Sequence, residues 1–160
     1  MANKVLVDTE EGYTVPSWID RIDPFMQKVL SEAGYDGEEL SVLFCSDPFI
    51  QELNKQYRKI DAPTDVLSFE NGEKYTDEEG SEWIEAGDIV ISLDTLPKNC
   101  LYFDVSADEE LKRLLIHGML HLNGYDHGEE HVEKGVEPEC EMLKIQKRLL
   151  EALSSESVIG

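Results

Sequence analysis

Asp108-Glu109-Glu110-Leu111-Lys112-Arg113-Leu114-Leu115-Ile116-His117-Gly118-Met119-Leu120-His121-Leu122-Asn123-Gly124-Tyr125-Asp126-His127 is the stretch on which the fold turns. Ala107, Leu111, Leu114, Leu115, Met119 and Leu122 recur at helical spacing and form a broad apolar face. Three carboxylates stand at what would be the positive end of that helix. Gly124 follows the last periodic residue and suits a helix stop. The pattern predicts a helix over residues 108–123, wide enough on its apolar side to pack against a sheet.

The flanking segments supply the rest of the core. Downstream, Met142, Ile145, Leu149 and Leu150 define a second helix over residues 137–153, and the polar tail 154–160 is expected to fray. Upstream, short apolar runs alternate with helical patterns. Val5-Leu6-Val7 reads as a strand and residues 16–33 as a helix, with Pro16 in the first turn, Gly34 at the stop, and Pro24 able to kink or split it. Residues 40–45 read as a strand. Asp47 as N-cap and Pro48 as first helical residue open a helix to about Arg58, with Ile50, Leu53 and Tyr57 inward. Thr64 to Phe69 and Asp88 to Leu93 read as strands, the acidic, glycine-punctuated 71–85 as a hairpin tip or loop, and Asp94 as the cap of a further helix. Strands come early and long helices late. That order implies an α+β domain, one mixed sheet with helices packed on it, over residues 1–153.

Composition narrows the function classes. The apolar fraction, 41%, supports one core in a chain of 160 residues. The N-terminus lacks the features of a signal peptide, and no run approaches the ~20 apolar residues of a membrane span, so a soluble, cytoplasmic protein is expected. The 3 cysteines, Cys45, Cys100 and Cys140, are widely spaced and are read as free thiols. A net charge of −21 opposes nucleic acid at long range. The acid is clumped in 77–79, 129–130 and 137–141, which leaves other regions less negative.

Of the 4 histidines, all but His131 fall between positions 117 and 127. His117 and His121 are i and i+4, so a helix sets both imidazoles on one face. A turn at Gly124 can bring His127 back toward them. Three neutral nitrogen donors suit Zn2+ and leave a fourth position for water. The spacing HxxxHxxGxxH is zincin-like, but Gly118 stands where the peptidases carry their glutamate base. His131 reads as a surface residue.

A second cluster, Leu53-Asn54-Lys55-Gln56-Tyr57-Arg58-Lys59-Ile60-Asp61-Ala62-Pro63-Thr64-Asp65-Val66-Leu67-Ser68-Phe69, gathers cations in an otherwise acidic chain. Lys55 and Lys59 read as solvated charges at a helix end. Arg58 can offer a phosphate two parallel hydrogen bonds and offset charge that develops there. Asp65 and Asp126 are candidates either for proton transfer or for orienting histidine.

These two motifs, with Gly87-Asp88-Ile89, resemble the bacterial YbeY family of metal-dependent endoribonucleases. The resemblance covers residues 41–127 and extends more weakly into the last helix. It implies a sheet with about five or six helices, zinc on His117, His121 and His127, and Arg58 as the functional arginine. It also implies single-stranded RNA as substrate, above all the 3′ end of small-subunit ribosomal RNA, and the ribosome or its assembly intermediates as partner. The chain departs from the family pattern at Glu70, where proline is common, in a longer acidic segment after His127, and in overall charge. Two other readings follow from the same residues. One is a metallopeptidase, which the missing glutamate disfavours. The other is a non-enzymatic assembly factor with a structural zinc, which would need a fourth ligand such as Asp126 or His131.

Overall fold

A computed structural model describes residues 3–126, 138 and 140–159. His127, His131 and the acidic segment up to position 137 lie outside the described residues.

The elements run β1 (Lys4–Thr9), a 3-10 turn (Ile19–Arg21), α1 (Ile22–Glu32), β2 (Glu38–Cys45), α2 (Asp47–Arg58), β3 (Val66–Thr76), β4 (Glu82–Ser92), α3 (Leu96–Phe103), α4 (Ala107–Leu122) and α5 (Glu141–Ala152). The four strands form one mixed sheet in the order β1-β2-β4-β3. β1, β2 and β4 are parallel, whereas β3 returns antiparallel to β4 as a hairpin. Parallel neighbours need crossovers, and α1 supplies the one between β1 and β2.

The pleat sorts the apolar residues into two layers. Successive strand side chains point to opposite faces. Leu40, Val42 and Phe44 of β2, with Ile89 and Ile91 of β4, therefore enter the main core with α1, α4 and α5. The alternate residues Leu43, Cys45 and Val90 turn to the other face, where Ile50 and Leu53 of α2 meet Leu67 of β3. Expected core positions Leu111, Leu114, Leu115, Met119, Met142 and Leu149 are buried, while Ile145 and Leu150 pack at its margin.

Several expectations are corrected. The helix expected over 16–33 is split: residues 16–18 lie outside it, the 3-10 turn follows, and α1 begins at Ile22. Pro24 sits in the first turn of α1, where its missing N–H has no intrahelical partner to lose. Ser46, not Asp47, caps α2: its hydroxyl accepts from Phe49 N at 3.3 Å. Asp47 instead accepts from Ser92 Oγ (2.6 Å) and Thr95 Oγ1 (2.5 Å), joining α2 to the end of β4. Asp94 does not cap α3. It accepts from Tyr13 Oη and from Asp47 N, and α3 starts after Thr95. The supposed loop 71–85 is mostly ladder, because β3 and β4 continue to Thr76 and from Glu82. There the indole of Trp83 donates to Asp77 Oδ2 at 2.8 Å across the tip. Tyr57 is 65% exposed and rests edge-on against Phe69 instead of entering the core.

Through Ile159 the tail packs back on the body of the domain. Val158 is fully buried, and the amides of Val158 and Ile159 donate to Asp108 Oδ1 at 2.6 and 2.8 Å. Lys112 Nζ, itself buried, donates to Glu156 O (2.7 Å) and Leu153 O (3.4 Å) and pairs with Asp108 Oδ2 (3.3 Å). An apolar anchor and a carboxylate at the start of α4 thus hold a segment whose composition is polar.

Candidate metal centre and active-site cleft

α4 is set up by its own sequence. Ser106 caps it, accepting from Glu109 N at 3.1 Å. Its last turn closes at Gly124, φ +87°, a backbone that glycine adopts without strain. The chain then folds over the helix end, with Tyr125 N donating to Leu120 O at 3.1 Å. That return places Tyr125 O 3.0 Å from His121 Nδ1. One turn earlier, His117 Nδ1 lies 2.8 Å from Gln146 Oε1 of α5.

The Tyr125 carbonyl can only accept, so a neutral His121 carries its proton on Nδ1 and keeps the Nε2 lone pair; Gln146 Oε1 at His117 Nδ1 favours the same tautomer there. The two Nε2 atoms face each other at 3.1 Å. The ring centroids are 4.7 Å apart and the planes 75° apart. Two oriented nitrogen lone pairs aimed at one point form part of a donor set that suits Zn2+. Among the described residues, no group of three or more His, Cys, Asp or Glu side chains could hold a metal by itself. His127, the expected third ligand, lies outside them.

The packing of α4 accounts for Gly118. A Cβ at this position would stand 2.7 Å from Ile89 Cγ2 and 3.0 Å from Ile89 Cγ1. Position 118 therefore faces β4 and the core. A glutamate placed there would meet Ile89, so the zincin base has no room on this backbone.

His117 and His121 open into a cleft of about 580 Å³ whose lining also includes Arg58, Asp65, Ser68, Asn99, Tyr102, Phe103, Arg113 and Asp126. Arg58 ends α2 and is exposed, as are Lys55 and Lys59. Its position depends on Asn54, a buried residue whose role the sequence reading did not identify. Asn54 Nδ2 donates to Ala62 O at 2.9 Å, and Asn54 O accepts from Ile60 N at 3.3 Å. That one residue shapes the turn connecting Arg58 to β3. Ser68 Oγ is buried in the cleft wall, with no hydrogen-bond partner among the described residues.

Arg113 was also missed. It lies one turn before His117 and is the i+3 partner of Glu110. Its Nε and Nη2 donate to Glu110 at 2.8 and 2.6 Å, and Asp65 Oδ2 lies 3.8 Å from Nη2. Asn99 Nδ2 bridges Asp65 (2.8 Å) and Glu110 (2.9 Å). Burial works against the guanidinium charge, but Glu110 and then Asp65 outweigh it and push the Arg113 pKa above its ordinary value. Asp65, which also accepts from Val66 N at 2.7 Å, is thus part of this structural network. Asp126 stands exposed in the cleft. Among the described residues the lining carries two arginines against two aspartates. That part of the cleft does not repeat the charge of the whole chain, −21.

No helix among the described residues is long and apolar enough to cross a membrane. Cys45, fully buried, and Cys100, half-buried, are free thiols.

Comparison with known proteins agrees with this architecture. A family profile described as Endoribonuclease YbeY matches residues 7–154. Proteins named Endoribonuclease YbeY from Treponema denticola and Aquifex aeolicus are 50% and 44% identical to the chain. The first match covers 94% of this chain and 93% of the relative, the second 84% and 83%. The same name is carried by a Treponema pallidum (strain Nichols) protein 47% identical over 92% of this chain and 88% of its own length. A solution structure from Thermotoga maritima superposes with a TM-score of 0.60 at 26% identity, covering 94% of this chain and 90% of that one. With the family profile spanning nearly the whole chain and relatives this similar over most of their own length, the chain belongs to the endoribonuclease YbeY family.

Proposed function

We propose that the protein is a zinc-dependent endoribonuclease that cuts single-stranded RNA, acting on the 3′ end of small-subunit ribosomal RNA with the ribosome or its assembly intermediates as partner. The observation that carries the metal is the pair of Nε2 atoms of His117 and His121, 3.1 Å apart, each ring oriented through its Nδ1. His117, His121 and His127 would hold the ion. When bound, it supplies Lewis acidity beside a phosphate.

The chain's own residues do the remaining work. Gln146 and the Tyr125 carbonyl keep both imidazoles in the tautomer that binds metal. Arg58, exposed at the cleft edge, binds the non-bridging phosphate oxygens and offsets the charge that builds on them. Glu110, Asn99 and Asp65 fix Arg113 as a rigid wall. Asp65 is committed to its network and acts as a positioning residue; Asp126, in the cleft lining, is the candidate to give a proton to the leaving oxygen.

The peptidase reading is disfavoured by Gly118, since its backbone position points at Ile89 and not into the cleft. Measuring bound zinc by mass spectrometry, together with cleavage of an unstructured RNA, tests the proposal. His121→Ala should lose both metal and cleavage. Arg58→Ala should keep its metal and lose about 10²–10³-fold in kcat. Full metal content and full cleavage in His121→Ala, or a zinc-loaded wild type that leaves RNA intact, would overturn it.

A further inference from the structure

α3 places Asn99, Tyr102 and Phe103 at i, i+3 and i+4, so the three share one face, and all three line the cleft that holds His117, His121 and Arg58. Their surroundings differ. Asn99 is tied to Asp65 and Glu110. Phe103 lies beneath Arg113, whose guanidinium carbon is 5.0 Å from the ring centroid. Tyr102 is 79% exposed. Its ring is propped edge-on against Phe103, with centroids 4.9 Å apart and planes at 87°. The neighbouring Leu101 is as exposed but is outside the cleft lining.

An exposed aromatic ring contributes little to a core, but one held on the rim of a polar cleft is a flat surface that costs little entropy to use. The charges explain why this cleft needs such a surface. Arg113 is neutralised by Glu110 and Asp65, so among the described lining residues Arg58 is the cation offered to phosphate. One cation gives weak affinity for a polyanion, and the surrounding chain repels it. Stacking on a base is not opposed by that repulsion.

We propose that Tyr102 forms a nucleobase subsite: its open ring face stacks on an unpaired base of the strand whose phosphate Arg58 holds. The subsite rests on the endoribonuclease reading above. A base inside a duplex has both faces covered, so only an unpaired strand can use the platform. Every base has a π face, so the subsite selects strandedness and not sequence.

The test is steady-state cleavage of a short unstructured oligoadenylate by the zinc-loaded wild type, Tyr102→Ala, Tyr102→Phe and Leu101→Ala, with an abasic nucleotide walked along the substrate. Tyr102→Ala should raise KM about 5- to 100-fold, the effect of removing one stacked base, with kcat and the thermal melt unchanged. Tyr102→Phe and Leu101→Ala should keep the wild-type KM. One abasic position should reproduce the loss in wild type and add nothing in Tyr102→Ala. A wild-type KM in Tyr102→Ala, a flat abasic scan, or additive losses would overturn the subsite while leaving RNA cleavage intact. Failure of the wild type to cut RNA would remove the endoribonuclease reading and the subsite with it, so the wild-type reaction alone separates the two failures.

Discussion

Gly118→Ala offers a sharp test of how α4 is seated on the sheet. In a solvated helix the change should stabilise by about 1 kcal/mol, the difference in helix propensity. Here the new methyl would lie 2.7, 3.0 and 3.1 Å from Cγ2, Cγ1 and Cδ1 of Ile89, which is itself fully buried. Cγ2 is attached at the branch point and cannot swing away as a chain end could. Overpacking of this kind costs about 1–3 kcal/mol, so the single variant should be neutral or less stable by up to about 2 kcal/mol. Ile89→Ala alone should cost about 2–5 kcal/mol through the cavity it leaves. In that background the clash is gone, and Gly118→Ala should become stabilising. Urea unfolding of the four proteins, followed by circular dichroism, closes the cycle. A coupling of about 1–3 kcal/mol is expected. If Gly118→Ala stabilises the otherwise unmodified protein by its full propensity gain, and the two changes add within about 0.5 kcal/mol, the close approach of α4 to β4 is wrong. The argument against a glutamate at 118 then fails too.

Gln146→Ala removes the oxygen that orients His117 and should weaken zinc binding about 10- to 100-fold, read by competition with a chromophoric chelator; unchanged affinity would mean the contact orients nothing. For Asp108, burial raises the carboxyl pKa, but the Ile159 and Val158 amides and Lys112 outweigh it and hold the pKa below the ordinary carboxylate value. A depressed folded pKa means its stabilisation is complete above the unfolded value, about 3.9, and is lost as pH falls through the folded one. Asp108→Asn should therefore be less stable than wild type at neutral pH, by about 1–2 kcal/mol, and the gap should close in acid; a gap independent of pH would refute the assignment. Lys112→Met leaves the Glu156 carbonyl without its donor and Asp108 Oδ2 without its cation, and should cost about 1.5–3 kcal/mol in urea unfolding.

What could be read from the sequence was whatever a local repeat encodes. α4 and α5 were legible because Leu111, Leu114, Met119 and Met142, Leu149 recur at the helical period. The strands were legible because runs such as 40–45 are short and apolar. The His117–His121 pair needed only the i, i+4 rule. What stayed hidden depends on partners distant in the chain. The tail looked disposable because nothing in 154–160 reveals that Asp108, about 50 positions away, accepts its amides. The hairpin of β3 and β4 looked like a loop because its polar residues lie on an exposed ladder with little apolar alternation. Arg113 and Asn99 carry no spacing signal toward the cleft. The i, i+3 pairing of Glu110 with Arg113 was the one local hint. Orientation of the imidazoles by Gln146 spans 29 residues and could not be anticipated.

α4 is at once the keel of the molecule and a wall of its cleft. It is buried along most of its length, clasped at one end by residues 158–159, and pressed on β4 at Gly118. His117 and His121 should therefore not loosen ahead of the body that carries them. α3 is a different kind of element, eight residues long with Leu96 as its one buried residue. A substitution on that short rim should therefore alter strand binding through the proposed Tyr102 platform while the keel and its imidazoles stay where they are.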